Sequence, residues 1–167
     1  MPNKQTIKKV EQMKKDGKSA QAQAGEFVRE EMEEIRRGEH GARSTKQAIA
    51  IGLSEARRSG VNLPPPKKGK YSEEVHDKAE RDVEVGKEPN HKVNPKRSRA
   101  TTNALKREGK SAASHAAISR QSKSAANART ASERSESAKK GAASRTPEQR
   151  SASAKKAAAT RKRNTGG

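Results

Sequence analysis

Residues 44–57 read Ser-Thr-Lys-Gln-Ala-Ile-Ala-Ile-Gly-Leu-Ser-Glu-Ala-Arg, and this segment has the clearest helix pattern of the 167-residue chain. Ser44 followed three residues later by Gln47 is the pattern of a capping box, in which side chains bind the free N–H groups of the first helical turn. Ile49 and Leu53 then lie one turn apart on the same face. The segment therefore predicts an amphipathic helix that begins at about residue 45.

A second amphipathic helix is predicted just before it, over about residues 20–37. Its apolar residues share one stripe, and Gly38 follows a basic last turn as a C-cap would. The short connection 38–43 predicts that the two helices form a hairpin over about residues 20–58. Residues 1–63 contain 12 large apolar side chains beyond Met1, a core near the lower limit for independent folding. We therefore expect a small helical domain over 1–63.

Composition excludes a single large core. Ile, Leu, Val and Phe together number 16 of the 167 residues, well below the ~20% under which a highly charged chain is expected to be disordered. The chain carries 39 Lys plus Arg and 20 Asp plus Glu, a net charge of +19. We therefore expect a mostly α-helical fold class with extensive disorder.

The charge is distributed unevenly. Residues 1–63 carry 13 basic and 9 acidic side chains (net +4), residues 64–95 carry 7 of each, and residues 96–167 carry 19 and 4 (net +15). We interpret 64–100 as a linker with an isolated or transient charged helix at 72–85. Residues 101–167 are predicted to be a disordered, low-complexity, Ala/Ser-rich basic tail.

The tail contains an internal repeat and regularly spaced cations. The twelve residues from Arg134 return at Arg150 with nine identities. Lys and Arg distributed in this way bind nucleic acids by releasing condensed counterions. The predicted nucleic-acid-binding residues are Lys96, Arg97, Arg99, Arg120, Lys123, Arg129, Lys139, Lys140, Arg145, Lys155, Lys156, Arg161, Lys162 and Arg163. If about half of the cations after residue 108 contact phosphates, log K should fall with log salt at a slope near −6.

The expected function is DNA binding without sequence preference, with nucleoid compaction or bridging of duplexes as a further expectation. Three alternatives stay open: a protein-interaction or self-association module through residues 20–60, a hydrophilic stress protectant, and an RNA- or ribosome-associated protein. A second phosphate site is conceivable where Arg43, Ser44 and Lys46 surround the start of the third helix. Simple capping by Ser44 is the favoured interpretation there.

Other classes of function find no support in the residues. Ser, His and acidic residues form no catalytic motif, so no enzyme activity and no cofactor are expected. His40, His76, His91 and His115 are far apart in the sequence, and no metal site is expected. The carboxylates of residues 30–34 are interpreted as a solvated helix face. No apolar segment is long enough for a membrane helix, and the chain has no Cys, so a cytoplasmic protein is expected.

Residues 44–57 also resemble the central segment of small bacterial proteins that carry an uncharacterised domain. The shared motif is KQAIAIxLSEAR, and the likeness covers about residues 24–60. Gly52 stands where Ala is expected and should weaken the helix locally. The resemblance implies a bacterial origin and a helical hairpin, with no established activity. The tail is similar in composition to the tails of linker-histone-like bacterial proteins, which implies a nucleoid-associated location.

Overall fold

The structure, a computed structural model, describes residues 3–69, 71–88 and 94–165. Within these residues the chain forms eight α-helices and one short 3-10 turn at Ser111–Ala113. The helices are α1 Lys4–Lys15, α2 Ala20–Arg37, α3 Thr45–Arg58, α4 Glu73–Lys87, α5 Pro95–Lys106, α6 His115–Asn127, α7 Ala131–Ala143 and α8 Pro147–Thr165. The expectation of a mostly α-helical chain is confirmed.

The prediction of extensive disorder is wrong. Most of residues 101–165, predicted to be a disordered tail, belong to α5, α6, α7 and α8. The composition criterion measures how much apolar surface a chain can bury, whereas helices also form through local interactions. At the start of α7, for example, the Glu133 N–H donates to Thr130 Oγ1 at 3.2 Å, and the Thr130 N–H donates to Glu133 Oε2 at 2.8 Å. Alanine and such caps favour helix without any core.

The described residues divide into two compact units, one ending at Gln121 and one beginning at Ser122. The core of the first unit has two clusters, and α2 and α3 contribute to both because they pack along each other. One cluster contains Val10, Ala24, Phe27, Ala56, Val61 and Leu63. The other contains Met32, Ile35, Ala42, Ala48, Ala112 and Ala113. The many alanines show how a chain with few large apolar residues still builds a core: its helices pack closely.

Gly52 makes this close packing possible between α2 and α3. A Cβ atom added at Gly52 would lie 2.7 Å from Val28 Cα and 2.9 Å from Val28 N. Both distances are far below the ~3.5–4.0 Å at which carbon atoms normally touch. The sequence suggested that Gly52 only weakens α3. The tertiary structure shows a second effect, since glycine lets the two backbones cross.

The charged helix predicted at 72–85 is observed as α4, but it is neither isolated nor transient. It packs against α3: Ala79 is buried, and the Ser54 hydroxyl donates to Asp82 Oδ2 at 2.7 Å. The predicted linker 64–100 thus contains α4 and the start of α5, which begins at Pro95. Residues 70 and 89–93 of that linker lie outside the described residues.

Part of the predicted tail belongs to the first unit. Thr45 Oγ1 donates to the Ala112 carbonyl at 2.7 Å, and Arg36 Nε donates to the Ala113 carbonyl at 2.8 Å. Both alanines are buried against α2 and α3. Their small side chains allow the 3-10 turn to approach the helices, and the two polar side chains satisfy carbonyls that burial would otherwise leave unpaired.

Candidate nucleic-acid interface

The second unit carries its charge on exposed helices. Every residue from Ser122 to Asn164 is exposed. Helix α8 contains six basic residues and one acidic residue. A helix without an apolar face gains nothing by packing on a core. Its long cationic side chains are therefore accessible to a ligand.

Three helices of the tail begin with the same capping hydrogen bond, and the capping residues are evenly spaced. Ser114, Thr130 and Thr146 lie 16 residues apart, and each hydroxyl accepts from a backbone N–H three residues later, at 3.2, 3.2 and 3.3 Å. At Thr146 the bond is reciprocal, because its own N–H donates to Gln149 Oε1 at 3.1 Å. The structural repeat is thus a capped helix. The sequence signal was Thr-x-x-Glu and Thr-x-x-Gln, the same pattern used to place the start of α3.

The predicted binding residues occupy equivalent places in this repeat. A lysine lies nine residues after each cap, and an arginine lies fifteen residues after it; these are Lys123, Lys139 and Lys155, then Arg129, Arg145 and Arg161. Lys123 and Lys139 lie in the C-terminal halves of α6 and α7, and Lys155 lies near the middle of α8. The repeat therefore presents its cations at regular intervals along the chain.

Cations surround α8 on all sides. Residues seven or eleven apart on a helix differ by only about 20° in direction, so Arg150 lies with Arg161, Lys155 with Lys162, and Lys156 with Arg163. The three pairs are separated by roughly 100–130° around the helix axis. The helix thus has three basic stripes and no neutral face.

All fourteen predicted binding residues are exposed, but they do not belong to one unit. Lys96, Arg97, Arg99 and Arg120 lie on α5 and α6 within the first unit. The other ten follow Ser122: Lys123, Arg129, Lys139, Lys140, Arg145, Lys155, Lys156, Arg161, Lys162 and Arg163. The second unit alone therefore presents most of the predicted surface.

The predicted phosphate site at the start of α3 has ordinary caps. The Gln47 N–H donates to Ser44 Oγ at 3.2 Å, and the Arg43 N–H donates to Gln47 Oε1 at 2.9 Å. Arg43 Nε lies 3.6 Å from Glu108 Oε1, and Lys46 is exposed. These contacts agree with the capping interpretation.

A different group of side chains, which sequence reasoning missed, meets at the other end of the α2–α3 connection. His40 Nε2 lies 3.6 Å from Glu31 Oε2 and 3.4 Å from Glu34 Oε2. We call these three residues the acid–histidine cluster. The side chain of Glu31 is only 1% exposed, so the interpretation of this carboxylate as part of a solvated face is wrong. A signal was present, because position 31 lies one turn from both Phe27 and Ile35 on the buried stripe.

Burial dominates the electrostatics of this cluster. Together with the carboxylates of Glu55 and Glu34, it raises the pKa of Glu31 to about 7, against the opposing effect of His40. Burial also raises the pKa of Glu55 on the neighbouring helix. Burial therefore removes much of the stabilisation that water gives to the charged forms of Glu31 and Glu55.

Comparison with known proteins finds a similarity over the central segment of the chain. No curated protein and no solved structure matches the chain. None of the described helices is both long and apolar enough to cross a membrane. Residues 14–68, which include α2, α3 and the acid–histidine cluster, match the model of a family of unknown function (DUF6496), in agreement with the expected uncharacterised domain.

Proposed function

We propose that this protein is a non-enzymatic, sequence-independent DNA-binding protein whose helices α7 and α8 contact the phosphates of duplex DNA. The observation that carries the proposal is α8, an exposed helix with basic stripes on three sides. Ordered cations lose less conformational entropy on binding than cations on a disordered chain. Helix formation in the tail therefore strengthens the electrostatic argument, although the expected disorder is absent.

The helical form of the tail favours DNA over RNA. The major groove of B-DNA is about 12 Å wide and accepts an α-helix, whereas the major groove of an RNA duplex is too deep and narrow for side chains to enter. The helices α7 and α8 are rich in Ala and Ser, which keep the helix thin between its cations. Base-specific recognition is not part of the proposal, because Lys and Arg set among small residues suit phosphates rather than base edges.

Three basic stripes also support bridging. A helix that lies in the major groove of one duplex still has one side that points away from that duplex. Because α8 has basic stripes on three sides, cations on that outer side stay available to a second duplex. Bridging of this kind would compact DNA, and in a bacterial cytoplasm it would place the protein on the nucleoid.

A charge-matched pair of variants tests the proposal. In the tail variant, Lys139, Lys140, Lys155 and Lys156 are replaced by Gln. In the control variant, Lys4, Lys8, Lys14 and Lys15 of α1 are replaced by Gln, which removes the same charge from four exposed side chains outside the tail. Glutamine has nearly the helix propensity of lysine, so both variants should keep their helices. Binding to one duplex DNA is measured by fluorescence anisotropy from about 50 to 200 mM salt.

The tail variant should lose about one unit of salt slope for each phosphate contact removed, up to about 4 in total. The control variant should behave almost as the original protein. Equal losses in both variants would show that net charge alone matters, and would contradict the assignment to α7 and α8. Tighter binding to duplex RNA than to duplex DNA would contradict the groove argument.

A further inference from the structure

We propose that Glu31, Glu34 and His40 form a binding site for a divalent transition-metal ion, with Zn²⁺ as the ion that best fits this set of ligands. The site belongs to the first unit, whereas α7 and α8, which carry the cations assigned to DNA, belong to the second. It does not depend on the DNA proposal.

The backbone brings the three side chains together. Glu31 and Glu34 are three residues apart on α2, so they share a face. Gly38 ends the helix in the left-handed conformation, with φ of 84°, and the chain turns back so that His40 faces both carboxylates. One ligand atom from each residue lies within 4.8 Å of the other two.

The spacing fits coordination better than direct pairing. A charge-assisted hydrogen bond between imidazolium and carboxylate is typically about 2.7–2.9 Å long, whereas the observed separations from His40 Nε2 are 3.4 and 3.6 Å. Atoms that share a tetrahedral zinc ion at roughly 2.0–2.2 Å lie about 3.3–3.5 Å from one another. The two separations from His40 Nε2 therefore match those between ligands of one zinc ion, and one ligand atom each from Glu31 and Glu34 lies within 4.8 Å of the other.

Both ring nitrogens of His40 have oxygen neighbours. Nδ1 lies 3.2 Å from the Gly41 carbonyl oxygen, and Nε2 lies 3.4 Å from Glu34 Oε2. In the tautomer that carries its hydrogen on Nδ1, that nitrogen donates to the Gly41 carbonyl, and the lone pair of Nε2 is free for a metal ion. A hydrogen bond from the second ring nitrogen to a carbonyl is the usual way in which proteins orient a metal-binding histidine.

An independent observation points to a missing positive charge. Glu31 Oε1 is buried and has no hydrogen-bond partner, although burying an unpaired carboxylate oxygen is strongly unfavourable. The half-buried Glu55 is a further carboxyl group close enough to raise the pKa of Glu31. A divalent ion would coordinate Glu31 and offset the surplus charge. Two carboxylates and one imidazole, without thiolates, suit Zn²⁺ and leave a fourth position for water.

Isothermal titration calorimetry with ZnCl₂ on the full-length, chelator-treated protein tests the site. The original protein should bind one zinc ion tightly, and His40→Asn should weaken this binding by more than about 100-fold, the upper end of the loss seen when only an outer-shell partner is removed. His76→Asn is the matched control. It alters the other group of this type among the described residues, His76, Asp77 and Glu80, and should leave the tight site unchanged.

Two further measurements cover the case in which His40→Asn does not fold. Glu34→Gln changes a ligand that is 19% exposed and should also weaken zinc binding while circular dichroism stays the same. Co²⁺ added to the original protein should produce the visible d–d absorption of a four- or five-coordinate site. Absence of these bands at stoichiometric Co²⁺, or unchanged zinc affinity in folded His40→Asn or Glu34→Gln, would overturn the proposal.

Discussion

The contact between α2 and α3 predicts opposite effects of the same substitution at two glycines. Gly25 and Gly52 both lie inside helices. A Cβ atom at Gly25 would meet nothing within 4 Å, whereas one at Gly52 would meet Val28 Cα at 2.7 Å and Val28 N at 2.9 Å. Alanine normally stabilises a helix interior by about 1 kcal/mol relative to glycine. We expect Gly25→Ala to gain most of this amount.

Gly52→Ala gains the same propensity but must also separate two backbones. Relieving the contact with Val28 Cα requires a movement of about 1 Å, since carbon atoms touch at about 3.5–4.0 Å. Extra atoms in a packed core cost about 1–3 kcal/mol. The upper part of that range applies here, because the obstructing atoms belong to a helix backbone and cannot rotate away. We therefore expect Gly52→Ala to lose about 1–2 kcal/mol of unfolding free energy.

The difference between the two variants, about 2–3 kcal/mol, isolates the helix contact because helix propensity cancels. Urea unfolding should be followed by NMR on the methyl groups of Ile35, which is fully buried in the first unit, so that melting of the tail helices does not obscure the transition. With a slope of about 1–3 kcal/mol per molar urea, the midpoints should differ by about 1–2 M. Equal stabilisation by both substitutions would refute the close approach of α2 and α3.

Two further predictions concern the α1–α2 contact and the tail. Lys9 Nζ lies 2.7 Å from Glu26 Oε2. The hydrogen bond from Lys9 lowers the pKa of Glu26, and Arg29 lowers it further. The stability from this pair should therefore be present above pH 4.5 and lost as pH falls through the lowered pKa. Lys9→Gln should therefore lower the free energy of unfolding by about 0.2–1 kcal/mol at neutral pH. If the variant were equally destabilised in strong acid, the pairing would be contradicted. Replacing the caps Thr130 and Thr146 by Ala should destabilise each helix start by about 0.5–2 kcal/mol, seen as reduced helix content by circular dichroism. The control Ser132→Ala changes a residue inside α7 that is not a cap and should leave helix content unchanged or higher.

Helix starts were largely determined by local sequence. Ser44 was assigned as a cap from its spacing to Gln47, and the Gln47 N–H indeed donates to it. The same four-residue pattern at Thr130 and Thr146 predicts the starts of α7 and α8, because a cap involves atoms only three residues apart. Low apolar content led instead to a prediction of disorder. That criterion concerns the burial of surface, and the tail helices bury almost none.

What only the tertiary structure decided depends on residues far apart in sequence. Ala112 and Ala113 join the core because side chains 67 and 77 residues away, those of Thr45 and Arg36, donate hydrogen bonds to their carbonyls. Nothing in an Ala/Ser-rich segment specifies those partners. The environment of Glu31 depends likewise on the fold, because its local spacing to Phe27 and Ile35 predicts burial but gives no indication of the imidazole that faces it.

The sequence by itself determined the helical class of the chain, the caps that start its helices and the concentration of positive charge after residue 95. These properties follow from composition and from atoms within one helical turn. The tertiary structure decided that Gly52 is a crossing point of two helices, that α4 packs against α3 and that Glu31 and Glu34 meet His40. Each of these features depends on how closely two segments far apart in the sequence pack against each other. Helix propensity and capping, which act within one turn, do not determine that packing.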